Sequence, residues 1–367
     1  MTTQLPTAMQ AYVLHHHGGM DALQFHKDWP VPAIGKDDVL IKVGACGLNN
    51  TDVNTRTGWY SKSVSGATDE DNVTSEASDD PAWGGAPIKF PRIQGADAVG
   101  AVVAVGANAS EGLIGKRVMV DCWMRDWDAP LNREKTGYFG SERDGGFAGY
   151  TTVDRRNVGV IDSELSDAEL ATFSCSYTTA EGMLSRAAVA EGDRVLVTGA
   201  SGGVGSALVQ LAKRRGAHVT ALSHPDKHDI LRDLGADVLL DRAPTDLGQA
   251  LCDATGQCNV NVVCDVVGGP SWPQFIDVLA RGGRYACSGA IAGPMVTLDL
   301  RTLYLRDLTL HGSTVIPPHI FKDLVGYIER EEIAPVLAKT YPLSQLKNAQ
   351  QAFTEKAHVG NIVVVPD

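Results

Sequence analysis

Short apolar runs alternate with amphipathic stretches through the second half of the chain, and that alternation organises the rest. Val195, Leu196 and Val197 form an apolar, β-branched run of the kind found in buried parallel strands. A glycine turn follows, Gly199-Ala200-Ser201-Gly202-Gly203. Residues 205–216 then predict a helix, because Ala207, Leu208, Leu211 and Ala212 recur at spacings of three and four. Lys213, Arg214 and Arg215 suit its negative end, and Gly216 stops it. Residues 218–222 make a second strand. Further strands are expected over 238–240, 260–267, 284–288 and 308–312, separated by helical or turn segments. Residues 171–188, 319–332 and 344–356 are helical in pattern, and 362–365 is a closing strand.

The first half has a different rhythm. Strands are expected over 10–14 and 39–43, joined by an irregular connection, and again over 101–106, 116–120 and 145–153. That pattern suggests an antiparallel, barrel-like unit to about residue 155. Two stretches interrupt it. Residues 61–86 are rich in Ser, Asp, Glu, Gly and Ala and predict a long surface loop inserted in the unit. Residues 122–140 hold Trp123, Trp127 and several charges and suggest an irregular surface stretch.

Composition narrows the classes. A chain of 367 residues predicts about two domains with ample core. The net charge of -12 argues against nucleic acid and against an acidic membrane surface as partners. No apolar run approaches the length of a membrane span, and the first residues lack the charged and apolar regions of a secretory signal, so a cytoplasmic protein is expected. Seven scattered cysteines with no C-x-x-C pair are expected as reduced thiols. His15, His16 and His17 are adjacent and cannot all point at one ion, so no metal is expected there.

The glycine turn carries the clearest chemistry. Ala200-x-Gly202-x-x-Gly205, between strand and helix, fits a dinucleotide fingerprint with Ser201, Gly203 and Val204 in the same turn. Small residues let the backbone approach a pyrophosphate at the helix N-terminus. At the end of the second strand, where an NAD site usually places a carboxylate, stands Ser223, followed by His224 and Lys227. No carboxylate there repels a 2′-phosphate and Lys227 is available to pair with one, so NADPH is expected over NAD, with Asp226 nearby as a counter-signal. Gly268 and Gly289 fall just past strand ends, where open α/β sheets bind ligands. In the first half, Asn49, Asp52, Arg56 and Tyr60 offer four polar functions within one short segment.

Taken together, the segments 47–60, 94–106, 192–217, 234–237, 264–269 and 359–366 resemble the medium-chain dehydrogenase/reductase family, nearest its zinc-free quinone reductase and enoyl reductase branch. The resemblance implies an α/β fold: a GroES-like, partly open β-barrel catalytic domain (1–155 and 318–367) and a Rossmann domain (156–317), with the active site in the cleft between them. It places Asn49 and Ala96 where the family's zinc enzymes carry a Cys and a His, leaving Cys175 as the one matching ligand, so no zinc is expected. It nominates Tyr60, in Gly58-Trp59-Tyr60, as hydrogen-bond donor or acid, with Asn49 to bind or position the substrate oxygen and Asp52 to support that loop. Thr179 and Asn361 are implied at the cofactor. The tyrosine that often helps hold the 2′-phosphate is absent, since the corresponding run is Leu239-Leu240-Asp241-Arg242. Three functions stay open: an NADPH-dependent reductase of conjugated carbonyls, a zinc-free alcohol or carbonyl oxidoreductase, and a nucleotide-binding protein of low turnover. A small-molecule substrate and a homodimer are expected by family resemblance, with the strand at 308–312 as a pairing edge.

Overall fold

The computed structural model describes residues 5–68 and 87–367, so most of the 61–86 insertion lies outside the described residues. The glycine-rich unit is the centre of a six-stranded sheet, parallel throughout. In spatial order its strands are Val238–Asp241, His218–Ser223, Arg194–Val197, Val260–Asp265, Leu279–Cys287 and Thr309–Gly312. The order reverses between Arg194–Val197 and Val260–Asp265, which opens a crevice at their carboxyl ends. The helix Gly203–Arg214 buries the expected stripe of Ala207, Leu208, Leu211 and Ala212. It begins two residues earlier than its apolar period indicates, because Gly202 is its N-cap.

The first unit is built on one long strand, Asp38–Gly47, which pairs antiparallel with Asp97–Val105, Tyr150–Asp154 and the returning Asn361–Val365. Arg117–Val120 and Val158–Val160 extend one side of this sheet and Leu337–Pro342 the other. A second sheet sets Ala8–Leu14 between Leu23–Pro30 and Arg92–Ile93. The strand Leu23–Pro30 replaces part of the irregular connection expected before residue 39. Lys27 and Asp28 face solvent on this edge strand, which dilutes its apolar alternation.

Three further expectations are corrected. The stretch 122–140 is a surface segment only in its middle, where 131–135 are exposed; at its ends Trp123, Tyr138 and Phe139 are buried, and Trp123 meets Tyr138 edge-on at 4.9 Å. The helical pattern at 171–188 is shortened to Ser174–Arg186, and a separate short helix, Asp167–Leu170, precedes it, opened by a capping box between Ser166 and Glu169. The cysteines are not all reduced, since Cys252 and Cys258 form a disulfide. Cys252 lies in the helix Leu247–Thr255, and Gly256 ends that helix at φ 72°, which turns the chain back so that Cys258 meets it.

A buried cation fastens the helix Asn50–Thr57 to its surroundings. Arg56 is fully buried; its Nε donates to Gln350 Oε1 (3.1 Å) and its Nη1 to the Gly18 carbonyl (3.1 Å). Replacing it leaves two buried acceptors without donors, each costing about 1–3 kcal/mol. Arg56→Met is therefore expected to lower the unfolding free energy by about 3 kcal/mol, read from the midpoint of urea denaturation.

Candidate active site

The polar segment after the long strand is held by two buried carboxyl groups. Asn49 caps the helix Asn50–Thr57, and Asp52 reaches back so that its Oδ2 accepts the Asn49 N–H (2.8 Å). The other Asp52 oxygen accepts the Gly95 N–H (3.2 Å), and Gln94 Nε2 donates to the Asp52 carbonyl (2.9 Å). Asp97 is paired opposite Gly47 in the sheet, which brings its side chain to the same place. Its Oδ2 accepts Asn49 Nδ2 (2.8 Å) and its Oδ1 accepts the Cys175 N–H (2.5 Å). Asp97 thus joins the polar loop, the barrel sheet and the helix Ser174–Arg186. No spacing in the sequence ties residue 97 to residues 49 and 175.

Burial pushes both Asp52 and Asp97 up to about 7, against the hydrogen bonds that favour their charged forms. Asp97 also raises Asp52, as expected of two carboxyls in one site.

Tyr60 follows a left-handed turn at Gly58 (φ 75°), which returns the Trp59 N–H to the Asn54 carbonyl (2.9 Å). The ring of Trp59 packs edge-on to Tyr60, and its Nε1 donates to the Gly66 carbonyl (3.0 Å). Tyr60 is half-buried, and its hydroxyl hydrogen-bonds with the side chains of Thr51 and Asn54. Burial pushes its phenol up to about 12, so it is a neutral O–H near neutral pH. The next group is Cys175, whose sulfur accepts Tyr138 Oη (2.9 Å). Tyr138 was missed because nothing in the spacing of 122–140 ties it to a residue 37 positions later.

The glycine turn forms the other wall. Gly205 sits so close to the turn that an added Cβ would lie 2.2 Å from the Gly199 carbonyl oxygen. At Gly203 it would meet Ser176 Oγ at 2.5 Å and Asn361 at 2.8 Å. Asn361 Nδ2 donates to Ser176 Oγ (3.1 Å), while its Oδ1 is buried with no partner among the described residues. The Gly360 N–H donates to the Ser201 carbonyl (2.9 Å), so the returning chain crosses the glycine turn. Ala200, Gly202 and Val204 lie in the same turn, with Thr179 on the adjacent helix. Gly268 and Gly289 close the crevice from the neighbouring strand ends. Their loop is pinned by Asp265, fully buried, which accepts Thr198 Oγ1 (2.5 Å), Tyr285 Oη (2.6 Å) and the N–H groups of Val267 and Gly268.

At the end of His218–Ser223 the structure gathers positive charge. Ser223 is buried, and His224 begins a short turn through Lys227. Lys227 Nζ donates to the carbonyls of Lys356 (2.6 Å) and His358 (2.9 Å). Lys356 is exposed along much of its length, yet its ammonium lies over the Phe353 ring and donates to Asn50 Oδ1 (2.8 Å). Loss of solvent around that ammonium, then the nearby Lys227, pulls Lys356 down to about 7. Burial, then Lys356 and Lys227, pulls His358 down to about 4. Burial and Arg242 lower Lys227 in turn. Asp226 is 87 % exposed and pairs with His224 at 3.4 Å, so it does not neutralise this corner. Lys356 was missed in the sequence because it lies 129 residues from Lys227.

Two family models match the chain: an alcohol dehydrogenase GroES-like domain over residues 35–163 and a zinc-binding dehydrogenase domain over 203–330. A solved structure from Sinorhizobium meliloti 1021, to which alcohol dehydrogenase activity is ascribed, is 45% identical with a TM-score of 0.89, covering 99% of this chain and 98% of that one. The chain belongs to the medium-chain dehydrogenase/reductase family. It is therefore an oxidoreductase. It is similar to the NADPH-dependent alkenal/one oxidoreductase of Arabidopsis thaliana (27% identity, 99% of this chain, 81% of the relative). It is also similar to the human quinone oxidoreductase (24% identity, 94% of this chain, 93% of the relative).

The residues present do not fit the zinc of this family's alcohol dehydrogenases. Ala96 offers no donor atom, the Asn49 amide nitrogen is bonded to Asp97, and the Cys175 sulfur accepts from Tyr138. One thiol does not make a tetrahedral set. The residues do fit a nucleotide: a helix N-terminus approached by backbone alone, an unpartnered buried amide oxygen, and a positive corner at Ser223.

A carboxyl raised by folding binds more protons folded than unfolded, so its contribution to stability is lost as pH rises from the unfolded value near 4 to about 7. Asp97→Asn keeps the shape and removes that titration. Its melting temperature is expected to vary less between pH 5 and 8 than that of the wild type, with the wild type falling faster from pH 5 to 7; calorimetry across this range checks it.

Proposed function

We propose that this oxidoreductase is an NADPH-dependent, zinc-independent reductase of conjugated carbonyl compounds: quinones, enals and enones, or enoyl thioesters. One observation carries the reading. The polar segment that carries Asn49, whose amide is held by the buried Asp97, also carries a neutral phenol, Tyr60, near Cys175 and Asp52, and these groups stand in for a Lewis acid at the substrate oxygen in this reading. An isolated carbonyl is a poor hydride acceptor without a Lewis acid. A conjugated one spreads the arriving charge onto its oxygen and needs only a hydrogen-bond donor and a proton source.

Bound NADPH supplies the hydride. Tyr60 donates to the developing enolate oxygen, Asn49 helps orient that oxygen, and Asp52 fixes the segment that carries both. Thr179 and Gly289 line the nicotinamide end, while Ala200, Ser201, Gly202, Gly203, Val204 and Gly205 take the pyrophosphate. Ser223, His224 and Lys227 receive the 2′-phosphate, joined by Lys356 and Arg242, while Gly268 and Asn361 close the crevice. The catalytic unit is taken as 1–155 with 318–367, and the cofactor unit as 156–317. The alkenal/one and quinone activities of the two relatives support the acceptor class, and the first also supports NADPH.

The test is oxidation of NADPH and NADH against a quinone, a short enal, a cyclic enone and a crotonyl thioester, with and without chelator. Chelator-insensitive turnover with NADPH is expected; activity lost to chelator and restored by zinc overturns the zinc-independent reading. Tyr60→Phe is expected to lower kcat about 10²-fold. Lys227→Met is expected to raise the KM for NADPH at least ~10-fold and leave that for NADH nearly unchanged. A purely structural role for Lys227 would move both.

The proposed assembly is a homodimer across the edge strand Thr309–Gly312, which has a sheet neighbour on one side only. Beside it Leu300, Tyr304, Leu305 and Leu310 are exposed, with Leu300 at 64%. A second copy covers both the open edge and this apolar surface. Leu305→Lys is expected to shift the protein from dimer to monomer in sedimentation velocity, and a wild-type monomer overturns the assembly.

A further inference from the structure

Cys122, Tyr138 and Cys175 form a sulfur-bearing cluster that the proposed reduction does not use. Cys122 follows the strand Arg117–Val120 in the barrel unit, and Cys175 lies in the first turn of Ser174–Arg186, the helix leading toward the nucleotide sheet. The two thiols are buried in one cluster with Tyr138, close enough to influence each other electrostatically. The Cys175 sulfur also accepts Tyr138 Oη at 2.9 Å, and the Asp97 carboxyl fixes its backbone. The other described free thiols, Cys46, Cys264 and Cys287, are placed elsewhere: Cys46 donates to the Gly47 carbonyl, Cys287 to that of Gly289, and Cys264 is enclosed in the parallel sheet.

The two sulfurs differ in access. Cys175 retains 8% exposure beside Tyr60, whereas Cys122 retains 1% behind it. A small oxidant in the cleft therefore meets Cys175 first, and the sulfur it finds is already an acceptor of hydrogen bonds. Burial keeps the Cys122 thiol protonated and well above its ordinary range until its neighbour reacts.

We infer that Cys122 and Cys175 are a redox-active pair, in which Cys175 is the site of oxidation by a hydroperoxide and Cys122 resolves it to a disulfide. The peroxide transfers one oxygen to the Cys175 sulfur, giving a sulfenic acid and releasing the corresponding alcohol, or water from hydrogen peroxide. The Cys122 sulfur then attacks the sulfenic sulfur; an S–S bond forms, the S–O bond breaks, and the hydroxyl leaves as water with the Cys122 proton. Two thiols lose two electrons and the peroxide gains them. The new bond ties the barrel wall to the helix bearing Thr178 and Thr179, and it takes from Tyr138 the thiol to which it donates. Oxidation therefore distorts the floor next to Tyr60 and lowers turnover.

The test treats the whole protein with hydrogen peroxide and maps its disulfides by mass spectrometry under non-reducing conditions. A Cys122–Cys175 cross-linked peptide is expected, two hydrogens lighter than the sum of its thiols, with Cys252–Cys258 as an internal reference. Activity is expected to fall roughly tenfold or more, since small displacements at a reacting centre are costly, and to return with dithiothreitol. Recovery in the Cys252→Ser, Cys258→Ser double variant assigns it to the first pair. In Cys122→Ser the bridge is absent and Cys175 proceeds to sulfinic acid. Cys175 oxidised without a bridge in the wild type, or both thiols intact after treatment, overturns the inference. Because the peptide map needs no substrate, its outcome is separable from failure of the reductase reading.

Discussion

The carboxyl group of Asp97 holds together what the rest of the site depends on. One oxygen takes the amide of Asn49 and the other the backbone of Cys175, so a single buried side chain sets the distance between the polar loop, the barrel sheet and the helix behind the cofactor site. Enclosing that group is unfavourable while it is charged, and the surrounding donors only partly offset the loss of water. A neutral apolar residue there would remove the burden and with it the register of three elements. In this chain a hydrogen-bonded carboxyl connects these elements.

The opposite end of the cleft is unbalanced in the other direction. Lys227, Lys356 and Arg242 approach one another with backbone carbonyls and an asparagine as partners, on a protein whose net charge is -12. Cations crowded in this way are stabilised by an anion more than isolated surface lysines are, because the anion relieves their mutual repulsion as well as pairing with each. The global charge repels anions while the local corner favours one, so any preference for an anion there is set by position rather than by long-range field.

Much of this was legible from residue order. The strand–glycine turn–helix unit, the parallel order of its sheet and the polar segment 49–60 follow from local periodicity and small residues, where the physics is short-ranged. The features that escaped are contacts across long sequence separations. Tyr138 reaches Cys175, Lys356 reaches Lys227, and Asp97 reaches both Asn49 and Cys175, and no spacing announces any of them. The edge strand Leu23–Pro30 escaped for another reason: one side of it is wet, so polar residues interrupt its alternation. The Cys252–Cys258 bridge escaped because compartment statistics, rather than the turn at Gly256, guided the expectation.

The return of Asn361–Val365 to the long strand Asp38–Gly47 has a consequence for biosynthesis. The Cys46–Gly47 end of the long strand lacks its partner until residues 361–365 have been made, whereas the parallel sheet is complete once Thr309–Gly312 has emerged. During translation the unit that carries Tyr60 therefore waits, with the Cys46–Gly47 end of its longest strand unpaired beyond the part that Tyr150–Asp154 covers, while the later unit folds first. The ribosome delivers a finished parallel sheet before it delivers a closed barrel.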